Sequence, residues 1–410
     1  MTNHAATIET AITPFDVSDN ALYVEDRWHG PFAELRRDMP ISYRPDSPFG
    51  PYWSVVTLDL IAEVEANPDI YSSSNELGNI TIVDTPPEAS FPNFIAMDRP
   101  RHTEQRKVVQ PAFNPSEMAQ RENEIRARTT ALFDALPVGE TFDWVDRVSI
   151  ELTIGMIAIL FDFPWDERRN LKHWSDLASE VSPDQSEDRI AYFLAEMGNM
   201  LARFDELLEA KRAAPPSGDL LSRMIHSEAM GHLTPMERIA NIALLIVGGN
   251  DTTRHSMSGF VQACHLFPDQ FEQLRADPSL IPNAAQEIIR WQTPVTHMRR
   301  TCTADTVLGG QQLKKGDKVV MWYISANRDE KVFSDADMFD IQRDNARRHI
   351  GFGHGVHRCV GARLAEMQLA IYMEEIVKRN IRIEPVGDPE RLASCFLHGF
   401  ATMPVRIVPI

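Results

Sequence analysis

The stretch GFGHGVHRCVGARLAEMQL, residues 351–369, decides how the rest of this chain is read. Three glycines fall within five residues, followed by a histidine, an arginine, a lone cysteine and then apolar residues at helical spacing. Gly351, Gly353 and Gly355 predict backbone angles closed to other residues, in a loop that a flat ligand can approach closely. Cys359 is expected at the N-terminus of a last helix running to about Lys378, with Val360, Leu364, Met367 and Ile371 as its inner stripe. At a helix start the dipole and free N–H groups stabilise an anion, so a thiolate there has a lowered pKa and can bind a metal. Gly361 removes a side chain where a ring could lie against the helix. A single cysteine is more commonly a buried structural thiol. The length of the F-G-x-G-x-H-x-C-x-G pattern argues against that reading here.

The bulk properties narrow the classes. The chain has 410 residues, 43% of them hydrophobic, enough for a substantial core. Its 41 basic and 59 acidic residues give a net charge of −18, which disfavours nucleic acid or an anionic membrane as partner. The four cysteines, Cys264, Cys302, Cys359 and Cys395, form no C-x-x-C pair and no disulfide framework, and reduced thiols suit a cytoplasmic protein. The first thirty residues lack the basic start and apolar run of a signal peptide, and no apolar stretch is long enough for a membrane anchor.

Helical patterns dominate. Residues 115–136 and 189–213 carry helical spacing, and 213–219 reads as a loop. The longest helix is expected from Thr234, which caps it with Pro235 at the first position and Glu237 completing a capping box, to a stop at Pro268. A second helix covers about 282–292. Short β-prone pieces lie at 48–58 and in DTVLGGQQLKKGDKVVMWYI.

Two further segments carry chemistry. In EIIR, Glu287 and Arg290 share a helix face at i,i+3, a spacing that by itself usually marks a solvated surface pair. GGNDTT, residues 248–253, puts two glycines and two threonines at the centre of the long helix, where all four are poor helix formers. Thr252 can bond back to the carbonyl of Gly248 and open the helix there, while Gly248 and Gly249 leave room beside a ring. Read alone, the segment could be a simple kink.

GGNDTT, EIIR and the cysteine loop, in this order and spacing, resemble the cytochrome P450 monooxygenases, and the resemblance runs from about residue 30 to the end. It implies a mainly α cytochrome P450 fold, a large helical body with a small β-rich region, forming a single domain over 1–410. The β-rich N-terminal part would span about 40–90 and the helical haem-binding part about 95–410. It implies haem b as cofactor, with Cys359 as the axial thiolate of the iron, Phe352 near ring and sulfur, Gly353 and Gly361 against the ring, and His357 on a propionate. His102 and Arg106, at i,i+4 in RPRHTEQRK, and Arg300 in RTCTAD would supply further propionate contacts. Glu287 and Arg290 would join Arg343, in FDIQR, in a buried structural triad. Asp251 and Thr252 match the family's acid–alcohol pair, which delivers protons to O2, and the thiolate's electron donation favours O–O cleavage.

The resemblance also implies partners. The chain has no flavin or iron–sulfur segment, so electrons would come from a ferredoxin and its ferredoxin reductase. Arg347, Arg348, Arg358 and Arg363, basic on an acidic chain, would be the docking patch, although each could equally be an ordinary solvated arginine. Candidate pocket residues are Ile82, Leu244, Val247, Gly248, Val295, Met298, Phe396 and Leu397, nearly all apolar, as core packing alone would also produce. FIAMDRPRHTEQRKVVQPAF, VGGNDTTRHSMSG and RCVGARLAEMQL resemble the bacterial alkane and fatty-acid ω-hydroxylase branch, which oxidises the terminal carbon of medium-length chains. Ala362 and Cys395 stand where that branch would have asparagines. The expected substrate is thus a small alkane-like molecule. A terpenoid, sterol or aromatic hydrocarbon is the alternative. A haem-thiolate sensor without turnover and a peroxide-driven enzyme are further readings, as is a colourless cysteine hydrolase using His354 or His357 as base.

Overall fold

Thr234 opens the longest helix as its sequence predicts. Its hydroxyl accepts the Glu237 N–H and the Glu237 carboxylate accepts the Thr234 N–H, the reciprocal capping box, and the helix runs Pro235–Leu266. At 32 residues it is about 48 Å long. It is buried on most faces and packs against the helices Glu151–Phe161, Arg169–Ser179, Ile281–Gln292 and Ala362–Lys378. The computed structural model describes residues 10–84, 92–180 and 186–410. Among these, no helix is long and apolar enough to cross a membrane.

The helices Pro115–Asp134 and Glu187–Ala213 fall where the spacing places them, and Ile281–Gln292 stops at Thr293, which adopts a left-handed φ of 43° before Pro294. The last helix is shorter than expected. It begins at Ala362, with Gly361 as N-cap, and not at Cys359. The Cys359 N–H is donated across the loop to the Phe352 carbonyl at 2.8 Å, which keeps the cysteine in the loop and not in the helix. Of the loop glycines, Gly353 and Gly355 have φ of +68° and +63°, as expected, whereas Gly351 does not adopt a left-handed angle. Gly351 is instead crowded, since a Cβ there would lie 3.1 Å from Ile289 Cγ2.

The small β region departs from the expectation of an N-terminal unit at 40–90. Its five-stranded sheet has the order Ile41–Arg44, Tyr52–Val55, Lys318–Trp322, His297–Cys302, Tyr71–Ser72. All neighbours are antiparallel except Tyr52–Val55 with Lys318–Trp322, paired in parallel with Trp53 opposite Val319. Ile41–Arg44 and Tyr52–Val55 pair with each other, and two segments from the C-terminal half join them to Tyr71–Ser72 in one sheet. The hairpin Thr306–Leu308/Gln311–Leu313 turns on Gly309 and Gly310, both at positive φ, as its paired glycines predict.

Candidate active site

A cavity of about 690 Å³ lies between the long helix and the cysteine loop. Cys359, Phe352, Gly353, His357 and Gly361 form one wall, and Gly248, Thr252 and Thr253 of the long helix another. Cys359 bonds to no other side chain and its surface faces the cavity. Burial pushes its thiol pKa up, while the Gly361 N–H and the Arg106 and Arg358 charges oppose the rise. Gly361 lines the cavity beside the sulfur, and a Cβ there would make only ordinary contacts, 4.0 Å from the cysteine Sγ and 3.8 Å from Phe113.

The cations expected on the ring's edge converge at one end of this cavity. His102 and Arg106 come from the helix Arg101–Val109, Arg300 from the strand His297–Cys302 and His357 from the cysteine loop, and all four line the wall. The His102 and His357 rings are 4.2 Å apart. Burial together with the neighbouring arginines holds their pKa values down at about 4 and about 2. Among the described residues, both ring nitrogens of His102 and Nδ1 of His357 are buried without a hydrogen-bond partner. Buried ring nitrogens without partners, beside Arg106, which forms no ion pair among the described residues, are unfavourable unless a ligand completes them. A planar ligand with two carboxylates and a metal that accepts one sulfur fits this wall on every count.

One contributor has no local signature. Glu65, buried on the helix Leu58–Ala66, accepts bonds from Tyr323 Oη at 2.6 Å, the His354 N–H at 2.7 Å and Arg300 Nη2 at 3.3 Å. It thereby ties the cysteine loop to the arginine strand. The nearest of these partners is 235 positions away in the chain, so no spacing pattern could have pointed to it.

The triad is present. Arg290 donates twice to Glu287 at 2.7 Å, and Arg343 donates to Glu287 Oε1 at 3.1 Å, with all three side chains at most 5% exposed. Thr252 donates to the Gly248 carbonyl at 2.8 Å, as expected, although the long helix stays helical through this bond. Gly248 opens onto the cavity with nothing near its missing Cβ. Gly249 also lines the cavity, and it has a second role, since a Cβ there would strike Ile157 Cδ1 at 2.3 Å.

Asp251 is turned away from the cavity. Its Oδ1 accepts from Arg254 at 2.8 Å, Asn250 at 2.9 Å and Ser175 at 3.1 Å. Burial raises its pKa, with Arg254 pulling the other way. Arg254 in turn bonds Asp176 at 3.0 Å, whose side chain is 39% exposed. Thr252 and Asp251, adjacent in sequence, therefore face opposite ways, because successive residues on a helix point about 100° apart.

Leu244, Val247, Val295, Met298, Phe396 and Leu397 line the cavity as expected. Ile82 does not. It is fully buried in a core with Phe49, Tyr52 and Trp322, and its neighbours Ile80, Thr81 and Val83 reach the cavity instead. An irregular segment has no period from which to read its inward residues. Phe94, Leu177, Ile190, Met197 and Ala243 complete the apolar wall. Its charged members, among the described residues, are the cation cluster, Glu65 and the ion pair Glu180–Arg189 at 2.8 Å. On the outer side of the cysteine loop, Arg347, Arg348 and Arg358 line one surface hollow, while Arg363 is exposed but outside it. None of the four forms an ion pair among the described residues.

A family model described as "Cytochrome P450" matches residues 199–406. Linalool 8-monooxygenase of Pseudomonas putida is 38% identical over 407 residues, covering 96% of this chain and 99% of its own. A methyl-branched lipid omega-hydroxylase of Mycobacterium tuberculosis is 33% identical over 396 residues, covering 93% and 91%. The solved structure of cytochrome P450-153 from Novosphingobium aromaticivorans superposes with a TM-score of 0.92 at 52% identity, covering 96% of this chain and 99% of that one.

Proposed function

Because the chain belongs to the cytochrome P450 family and is a haem b monooxygenase, we propose that it hydroxylates the terminal carbon of a medium-chain alkane with electrons from a ferredoxin. Cys359 would hold the iron, His102, Arg106, Arg300 and His357 the propionates, and Gly353 and Gly361 would leave room for the ring, with Phe352 beside it. Bound there, haem supplies activation of dioxygen and insertion of one oxygen atom into a C–H bond. The whole chain acts as one domain in this reading, since strands from both halves share the sheet.

The observation that carries the substrate reading is the wall opposite Cys359. Leu244, Val247, Val295, Met298, Phe396 and Leu397 offer no hydrogen-bonding side chain, so a ligand there is held by burial, at roughly 25 cal/mol per Å² of apolar area. Thr252 lines the cavity, and in this reading Asp251, joined through Arg254 to the surface residue Asp176, would pass protons toward it. Relatives named for linalool 8-oxidation and for methyl-branched lipid omega-oxidation support attack near a chain end.

Ferredoxin, its reductase and octane added to the purified protein are expected to yield 1-octanol with stoichiometric oxygen uptake. A terpenoid, sterol or aromatic oxidised in preference to every alkane would overturn the substrate reading. In the same assay Thr252→Ala should keep oxygen uptake but divert most of it to hydrogen peroxide, cutting product about 100-fold in line with loss of a proton donor. Unchanged coupling would remove Thr252 from the relay. For docking, Arg358→Glu is expected to slow first-electron transfer about tenfold at low salt and to flatten its salt dependence. Equal rates in both proteins at every ionic strength would place the ferredoxin elsewhere.

A further inference from the structure

The segment 77–84 lines the cavity through Asn79, Ile80, Thr81 and Val83, yet it belongs to no strand or α-helix. Besides the burial of Ile82 in its core, its hydrogen bonds to the rest of the molecule go chiefly to the strand His297–Cys302 and to Lys318. Thr301 Oγ1 donates to the Leu77 carbonyl at 2.8 Å, and the Arg299 N–H to the Ile80 carbonyl at 2.7 Å. The Ile82 N–H is donated to His297 Nε2 at 3.3 Å, and Lys318 Nζ donates to the Ile82 carbonyl at 2.9 Å. At the segment's end Asp84 accepts from Arg299 Nη1 at 2.5 Å and from Lys318 Nζ at 2.8 Å.

The charges are unequal. Arg299 and Lys318 side chains are 4% and 6% exposed, and Asp84 is the one carboxylate either meets among the described residues. Asp84 is itself 63% exposed, but it meets two buried cations at once, and leaving them without an anion costs more than losing one exposed pair. The guanidinium of Arg299 also occupies the space of a side chain at Gly78, where φ is +126° and a Cβ would fall 1.9 Å from Nη2. One arginine thus grips the segment at both ends. The strand that carries it also presents Met298 to the cavity and Arg300 to the cation cluster.

We propose that Asp84 is a positioning residue for regioselectivity: it anchors the segment 77–84 against Arg299 and Lys318 and so fixes Ile80 and Val83 relative to the haem site. The proposal rests on the substrate reading above only for its second half. Successive carbons of a chain are one bond apart, so a small displacement of this wall suffices to change which carbon is attacked.

Two measurements on the haem-loaded protein test it. Asp84→Asn is expected to speed amide exchange over 78–84 at least about tenfold, with haem content and the carbon monoxide spectrum retained. It should also shift the ratio of terminal to subterminal octanols about tenfold. Asp84→Glu, which keeps the charge, should restore both. Unchanged exchange overturns the anchor, and faster exchange with an unchanged product ratio overturns the role in selectivity. If the unaltered protein oxidises no alkane, exchange still decides the anchor and the failure falls on the substrate reading. Should Asp84→Asn not accumulate, Lys318→Met removes one of the two cation contacts and is expected to act in the same direction.

Discussion

Cys359→Ala is expected to abolish the red-shifted absorption that the reduced protein gives with carbon monoxide, and to lower hydroxylation by more than the ~100-fold that loss of an outer partner costs a metal site. No other thiol can take its place. Cys302 and Cys395 are buried in other cores, and Cys264 packs against a third, with burial pushing the first two up to about 12 and Cys264 higher still. The change should leave the fold intact, because Cys359 holds the loop through its backbone N–H to Phe352 and its side chain bonds no other side chain. The measurement is therefore clean: a thermal midpoint near that of the unaltered apoprotein, with the sulfur-specific spectrum gone. Retention of that spectrum in the variant would end the assignment of Cys359 as ligand.

The second large effect is structural. Glu287→Ala leaves Arg290 and Arg343 buried with no carboxylate between them, a loss of about 3–5 kcal/mol for a broken buried pair. The two arginines also donate to the carbonyls of Asn327, Ser334, Ala336 and Met338, so they organise the irregular run that leads into the cysteine loop. Asn327 in turn receives the Ile350 N–H at 2.8 Å, one residue before the loop. The expected result is protein that binds little haem and unfolds at markedly lower denaturant concentration. Full haem content with an unchanged midpoint would show that the triad does not hold the loop.

These two sites were legible in the sequence for a shared reason. A capping box, a Glu–Arg pair at i,i+3 and a threonine bonding four residues back are local geometries, set by helical spacing and by side-chain type. Thr234, Glu287 with Arg290, and Thr252 with Gly248 each realise the bond their spacing predicts. The cysteine loop is likewise continuous in the chain, but the start of the helix after it, the backbone of Gly351 and the direction of the Cys359 pKa differ from expectation. That start depends on the Cys359 N–H finding Phe352 across the loop, which spacing does not encode.

By itself, then, the amino-acid order determined the helices, the cysteine that faces the cavity and the pairs one helical turn apart. Tertiary structure alone decided which way Asp251 points, that Ile82 is core and Val83 is wall, that Glu65 joins the loop to Arg300, and that Asp84 faces two buried cations. Each of those contacts joins elements far apart in the chain or depends on how one helix is rotated against its neighbours. Such contacts follow from the packing of whole surfaces, and no short window of sequence contains both sides of the contact.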